Sequence, residues 1–233
     1  MVEIILLGVA FIIILILLIR NKTQYQKGSN DLLSMFLKSG YDMKINMFET
    51  LNQTHTDHGI AFIGDSITQD YNMYEFFPKL NVYNRGIGGD TTIGLFNRLK
   101  VSVDDLNPDK VIMLIGTNDF VLLNHSLEMI RNRIQDIIKN ILQNNPSTTI
   151  YLLSILPVNP NINHITVGNR NNHDIMTLNN QLAKLNNVHY IDVHQHMVDA
   201  KGVLLPSLTY DGLHLNHQGY EKLTELLKPY VIQ

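Results

Sequence analysis

Five short apolar segments alternate with amphipathic stretches along most of the chain, and this alternation restricts the fold more than any other feature of the sequence. Each segment is rich in β-branched residues and is bounded by Gly, Asn, Asp or Pro, as strands often are. The segments span residues 59–65, 81–87, 110–115, 149–156 and 188–193. The continuously apolar ones among them predict strands of a parallel sheet that helices cover on both faces.

The stretches between these segments carry helical patterns. From Leu127 to Leu142 apolar residues recur at intervals of three and four, and Pro146 ends the pattern. Another helix begins near Leu32, and a third follows Asn216, which we expect to be its N-cap. Strands that alternate with helices predict an α/β fold, and 233 residues suit one domain of ordinary size. In such folds the functional site lies beyond the carboxyl ends of the strands.

The N-terminus carries an apolar run of a different kind. Residues 4–19, IILLGVAFIIILILLI, contain no charged or strongly hydrogen-bonding side chain. With Met1 and Val2 included, a helix over this run would be ~28 Å long, close to the ~30 Å hydrocarbon core of a bilayer. A helix of a soluble domain usually keeps a polar face, which this run lacks. A cleaved signal peptide would carry a Lys or Arg before the run and an A-x-A-like site after it, and neither is present. We therefore predict an uncleaved single-pass transmembrane anchor over residues 1–19.

The residues after this anchor indicate its orientation. Residues 20–30, RNKTQYQKGSN, are polar and predict a juxtamembrane linker, with the folded domain at residues 31–233. Arg20, Lys22 and Lys27 all lie on this side of the anchor. The positive-inside rule therefore favours a cytoplasmic C-terminal domain, with the membrane as a partner through the N-terminal helix.

Composition excludes several classes of function. The chain has 18 Lys and Arg residues against 21 Asp and Glu, a net charge of -3, so there is no electrostatic case for binding nucleic acid. It contains no cysteine, which excludes a disulfide framework, a cysteine zinc site and thiol catalysis.

Three predicted strands end in residues that can carry chemistry. The first ends in GDSIT, where Ser66 would stand exposed at a helix N-terminus that stabilises negative charge. The second ends in NRGIGGDTT, residues 84–92, whose three glycines allow a backbone N–H to point at a ligand. The third ends in GTND, where Asn118 can donate its amide to an oxyanion. Each also has a purely structural interpretation, as a helix cap or a turn.

Near the C-terminus, Asp211 and His214 form a D-x-x-H pair. A spacing of three places both side chains on one side of a turn, and the carboxylate can hold the imidazole in the tautomer that accepts a proton. Asp192, His194 and His196 are the competing set. We interpret them as strand-end structure or an exposed loop, since no acidic ligand cluster accompanies them.

Taken together, the four blocks supply a nucleophile, oxyanion donors, a base and a group that orients the base. In this order they resemble the SGNH/GDSL hydrolase superfamily. The string at residues 84–92, followed by Gly94, Arg98 and Leu99, is similar to the branch that includes platelet-activating factor acetylhydrolase-like esterases. The resemblance covers residues 58–232, and Ile67 with Thr68 stands where the superfamily's name has Leu.

The resemblance implies a three-layer α/β/α sandwich with a five-stranded parallel sheet, which is flavodoxin-like. It implies Ser66 as nucleophile, His214 as base and Asp211 as its partner. The oxyanion hole would consist of the backbone N–H groups of Ser66 and Gly89 with the side-chain amide of Asn118. It requires no cofactor and no metal.

The implied reaction is hydrolysis of a small-molecule ester through an acyl-serine intermediate, on short-chain acyl or acetyl esters of lipids or sugars. Two alternatives stay open: a membrane-tethered O-acyltransferase, and a non-catalytic carbohydrate- or lipid-binding protein on the same fold. Residues 158–174, VNPNINHITVGNRNNHD, are polar and follow the fourth predicted strand. They are either a lid near the leaving group or a solvated loop.

Overall fold

A computed structural model describes residues 2–55, 58–123 and 125–232, and within the first helix it describes side chains from residue 20 onward, except at 25–26, 29–30, 33 and 37. The chain divides into two compact units, of which the first ends at Asp42 and the second is Met43–Gln233. The second unit carries the sheet and all of the residues discussed below as site residues.

The first helix, α1, spans Val2–Asn52. Residues 20–30, which we expected to form a linker, are therefore helical, and the side chains described there are exposed. The predicted transmembrane anchor over residues 1–19 lies outside the described side chains. Among the side chains that are described, no helix offers an apolar stretch long enough to cross a bilayer.

A five-stranded parallel sheet forms the centre of the second unit, as the sequence predicts. Its strands are β1 (Ile60–Gly64), β2 (Val82–Gly86), β3 (Lys110–Leu114), β4 (Thr149–Leu153) and β5 (His189–Ile191). Each lies inside its predicted segment. The spatial order is β2-β1-β3-β4-β5, so the direction of winding reverses between β1 and β3. That reversal opens a crevice at the carboxyl ends of these strands, where α/β folds bind ligands.

Helices connect the strands and cover both faces of the sheet. They are α2 (Ser66–Gln69), α3 (Met73–Phe76), α4 (Thr92–Asn97), α5 (Leu99–Ser102), α6 (Leu127–Asn144), α7 (His164–Val167), α8 (Asn172–Leu182) and α9 (His217–Val231). The predicted helices at residues 127–142 and after Asn216 are confirmed. The side chain of Asn216 accepts a hydrogen bond from the Gly219 N–H and caps α9, as expected.

Alternate residues of each strand pack into two separate cores. Ala61 and Ile63 of β1 face one core, which the isoleucines of α6 and the apolar face of α8 complete. Ile60 and Phe62 face the other, which α9 and the aromatic residues after α2 complete. Full burial of an Ile or Phe side chain contributes about 1.5–3 kcal/mol. The strands are apolar on both faces because both faces are covered, and this holds their carboxyl ends in fixed register.

Candidate active site

The turn from β1 into α2 places Ser66 as the first residue of a short helix. A Cβ on Gly64 would lie 2.1 Å from the Leu114 carbonyl oxygen, so the turn requires glycine there. The Asp65 carboxylate accepts the Ile67 N–H at 3.0 Å and caps α2, so the capping interpretation of Asp65 is also correct. The Tyr220 hydroxyl donates to the Ile67 carbonyl at 2.9 Å and joins α2 to α9.

Ser66, His214 and Asp211 form one hydrogen-bonded chain. The Ser66 Oγ lies 3.0 Å from His214 Nε2, and His214 Nδ1 lies 2.8 Å from Asp211 Oδ2. The other carboxylate oxygen of Asp211 accepts the backbone N–H groups of Leu213 at 3.0 Å and His214 at 2.8 Å. Burial raises the pKa of Asp211, but these hydrogen bonds outweigh it and hold the pKa below its usual value. An ionised Asp211 makes Nδ1 the donor and leaves Nε2 to accept from Ser66.

The turn that carries this pair is itself packed. Gly212 has φ +83°, and a Cβ on it would lie 2.2 Å from the Asn159 carbonyl oxygen. The Asn159 N–H donates to the Gly212 carbonyl at 2.8 Å. The Thr209 hydroxyl accepts the Gly212 N–H and donates to the His214 carbonyl. His214 is therefore held by both its own turn and the segment after β4.

The glycine loop after β2, which contains Gly88 and Gly89, is held in place by a buried ion pair. Arg98 Nε donates to Asp90 Oδ2 at 2.8 Å, and its other nitrogens donate to the carbonyls of Arg85 and Gly64. One guanidinium thereby joins the ends of β1 and β2 to the loop. Gly89 adopts φ +75°, a conformation that favours glycine. The Gly88 N–H is already engaged by the Gln69 side chain at 2.9 Å.

Asn118 follows β3, and both ends of its amide are bonded. Its Nδ2 donates to the Asp90 carbonyl at 2.9 Å, and its Oδ1 accepts from Arg170 Nη2 at 2.7 Å. Gly64, Gly86 and Leu114 pair in register across β1, β2 and β3. The residues that follow these strands, among them Ser66, Gly89 and Asn118, therefore meet at one edge of the sheet.

Asp65 is a further titratable group, next to Ser66 in the chain. It is 1% exposed, and burial raises its pKa to about 7. The hydrogen bond from the Ile67 N–H lowers this pKa, and the charge of Asp90 raises it. The GDSIT block in the sequence indicates no more than a capping role for Asp65. Its burial depends on the packing of α2 between neighbouring elements, and no local pattern reveals it.

The competing set forms a structural turn after β5. The Asp192 side chain accepts the Gln195 N–H at 3.3 Å, and the His194 N–H donates to the Ser154 hydroxyl at 2.8 Å. Burial lowers the pKa of His194, while His196 is exposed. Within the described part of the chain, no group of three or more His, Asp or Glu side chains is arranged to hold a metal ion.

The polar segment at residues 158–174 is folded. This observation does not distinguish between the two interpretations of the segment, a lid and a solvated loop. The segment contains α7 and the start of α8, with Asn172 bonded through both amide atoms to the backbone of Val158. Arg170, which is 8% exposed, lies between these helices and reaches Asn118. Arg170 was not predicted from the sequence, because a single arginine in an Asn-rich stretch has the pattern of a solvated residue.

Chemically, this arrangement suits transfer of an acyl group. A hydroxyl bonded to an imidazole that a carboxylate orients is the arrangement that activates serine as a nucleophile. Amide donors at the neighbouring strand ends suit a developing oxyanion.

Comparison with known proteins agrees with this geometry. Residues 62–222 match the model of the GDSL-like lipase/acylhydrolase family. The chain is 29% identical over 179 residues to the human platelet-activating factor acetylhydrolase IB subunit alpha2, covering 75% of this chain and 76% of that protein. It superposes with a TM-score of 0.81 and 32% identity on a protein from Streptococcus pneumonia named after platelet activating factor, over 87% of this chain and 98% of the other.

A more distant likeness concerns the fold alone. An acetylxylan esterase from Geobacillus stearothermophilus, solved as a catalytic mutant, matches with a TM-score of 0.57 at 20% identity, over 75% of this chain and 94% of that one.

Proposed function

The chain belongs to the GDSL-like lipase/acylhydrolase family and is a hydrolase, and we propose that it cleaves carboxylic esters through an acyl-serine intermediate on Ser66. The observation that carries this proposal is the hydrogen-bonded chain from Ser66 through His214 to Asp211. It joins a nucleophile, a base and the carboxylate that orients the base.

In the proposed reaction, Ser66 Oγ attacks the ester carbonyl while His214 Nε2 takes its proton. The oxyanion is held by the N–H groups of Ser66 and Gly89 and by the Asn118 amide. His214 then gives the proton to the departing alcohol. Water attacks the acyl-serine with His214 again as base, and His214 returns that proton to Ser66 Oγ as the acid leaves.

We propose acetyl or short-chain acyl esters of lipids or sugars as substrates. The curated relative is named an acetylhydrolase, which supports a small acyl group. A series of p-nitrophenyl acetate, butyrate and dodecanoate, with Ser66→Ala as control, tests the acyl preference. We expect kcat/KM to fall from acetate to dodecanoate, and a preference for dodecanoate would contradict the proposal.

The same preparation separates the two alternatives. An O-acyltransferase would form an acylated sugar when an acceptor sugar is added, whereas a hydrolase releases free acid at an unchanged rate. A non-catalytic binding protein would neither turn over these esters nor react with a fluorophosphonate, which labels activated serines covalently.

We also propose that residues 1–19 anchor the enzyme to a membrane, on the strength of the uncharged apolar run at residues 4–19. The full chain should sediment with membranes after a carbonate wash, and a chain lacking residues 1–28 should not. Release of the full chain by that wash would contradict the anchor.

A further inference from the structure

Arg170 is a buried cation whose donors all point at the carboxyl end of β3 and at α7. Its Nε donates to the carbonyl and hydroxyl oxygens of Thr117, at 2.9 and 3.1 Å. Its Nη1 donates to the Val167 carbonyl at 2.9 Å, and its Nη2 donates to Asn118 Oδ1 at 2.7 Å. Every hydrogen-bond acceptor found for it among the described residues is neutral, and the Asp65 carboxyl acts on its charge without a hydrogen bond between the two side chains in that set.

The contact with Asn118 fixes which way that amide faces. Oδ1 accepts from a guanidinium, and one hydrogen of Nδ2 donates to the Asp90 carbonyl. A rotated amide would place its oxygen against the Asp90 carbonyl oxygen and its NH₂ against Arg170, which would break both bonds. The second hydrogen of Nδ2 is then left in a defined direction.

The charge of Arg170 also changes the donor strength of this amide. A cation at Oδ1 favours the resonance form in which the amide oxygen is negative and the nitrogen is positive, so the N–H becomes a stronger donor. Charge-assisted hydrogen bonds are shorter and stronger than neutral ones, and 2.7 Å fits that class.

We propose that Arg170 is the positioning residue of the oxyanion hole: it locks the Asn118 amide with Nδ2 toward the reacting carbonyl and strengthens that amide as a donor. This inference rests on the proposed function, because it assigns Arg170 to the same reaction. Arg98 and Arg170 then divide the task, since Arg98 fixes the glycine loop and Arg170 fixes the strand-end asparagine.

A double-mutant cycle tests this role. The variants are Arg170→Gln, Asn118→Ala and the double variant, assayed for kcat and KM on p-nitrophenyl acetate. Arg170→Gln should lower kcat roughly 10-fold and leave KM within about twofold of the wild-type value. This loss is smaller than the ~10²–10³ loss in kcat expected when a complete oxyanion donor is removed. In the Asn118→Ala background the same substitution should change kcat by no more than about twofold, because its effect passes through Asn118. Equal losses in both backgrounds would overturn the proposal.

Two further variants separate charge and folding from this role. Arg170→Lys keeps the charge without the planar fork and should recover part of the lost kcat. Arg133→Gln is the matched control, because Arg133 is a residue of α6 that lies over the ring of Phe96 on α4 and not among the site residues. It should leave kcat unchanged. If Arg170→Gln does not fold, Arg170→Lys is carried through the same cycle, with the same criterion of non-additivity.

Exchange of the Asn118 side-chain amide gives a readout independent of turnover. In ¹⁵N-labelled protein, exchange of these hydrogens with solvent should be faster in Arg170→Gln than in the wild type and unaltered in Arg133→Gln. If the wild type hydrolyses no ester, the proposed function fails and this measurement alone judges Arg170. Unchanged exchange in Arg170→Gln would then overturn the inference.

Discussion

Ser66 Oγ lies 3.0 Å from His214 Nε2, although 148 residues separate them in the chain. The contact is made by two short turns at the carboxyl edge of the sheet, and each turn is shaped by its own residues. Asp65 and Gly64 shape the first, and Thr209 and Gly212 shape the second. Tyr220 of α9 bonds to the Ile67 carbonyl and holds the two together.

Replacement of the base should abolish turnover without loss of the fold. Nucleophile and base act as a unit, so His214→Ala should lower kcat by about as much as Ser66→Ala does, with little further loss in the double variant. The matched control is His196→Ala, because His196 is exposed in the turn after β5. Steady-state kinetics on p-nitrophenyl acetate gives the comparison. Equal losses in the two histidine variants would show that His214 has no special role.

The two Asp–His pairs can be distinguished by amide substitutions. In Asp211→Asn the carboxylate no longer holds the imidazole tautomer, and kcat should fall by as much as ~10⁴. Asp192→Asn should leave kcat within about twofold, since the hydrogen bond found for the Asp192 side chain among the described residues is to the Gln195 N–H in its own turn. A loss in Asp192→Asn that exceeds the loss in Asp211→Asn would mean that the pairs have been assigned the wrong way round.

Asp65 should make the stability of the fold depend on pH. Its pKa is raised by burial to about 7 in the folded protein, from an ordinary value of 3.8. The folded state therefore binds a proton that the unfolded state releases, and this stabilisation is complete below about pH 3.8 and is lost as the pH rises through about 7. The difference corresponds to a change in the free energy of unfolding on the order of 4 kcal/mol.

Asp65→Asn should remove this contribution, because an asparagine oxygen can still accept the Ile67 N–H and has no proton to lose. Urea unfolding at several pH values between 4 and 8 measures the effect. The wild type should lose more stability than Asp65→Asn as the pH rises over that range. Parallel curves for the two proteins would show that Asp65 is ionised throughout.

The last turns of α1 should be needed for the second unit. Phe48 is 1% exposed and lies 4.8 Å from the Arg85 guanidinium, and Asn52 Oδ1 accepts from Arg85 Nη2 at 2.8 Å. Deletion of residues 1–42 should therefore leave the melting temperature and kcat of the remaining chain intact. Deletion of residues 1–52 also removes Phe48 and Asn52, and loss of one such buried ring costs about 3–5 kcal/mol. Equal melting temperatures for the two truncations would contradict this account.

Local patterns predicted the strands and the blocks at their ends, because short apolar runs and glycine-rich turns are determined by neighbours in the chain. Asn216 as the cap of α9 was predicted for the same reason. Arg170 and the ion pair of Arg98 with Asp90 were not predicted as structural supports, because each joins strand ends that are distant in sequence. The helical state of residues 20–30 was also missed, since a polar composition does not distinguish an exposed helix from a linker.

Covalent labelling of Ser66 tests the central claim most directly. Purified wild-type protein is treated with a fluorophosphonate and digested, and the modified peptide is identified by mass spectrometry, with Ser66→Ala and Ser154→Ala treated in parallel. We predict one adduct per chain on Ser66 in the wild type and in Ser154→Ala, no adduct in Ser66→Ala, and a kcat for Ser66→Ala lowered by about 10⁶. An adduct on another residue, or a Ser66→Ala variant that retains wild-type kcat, would contradict the assignment of Ser66 as the nucleophile.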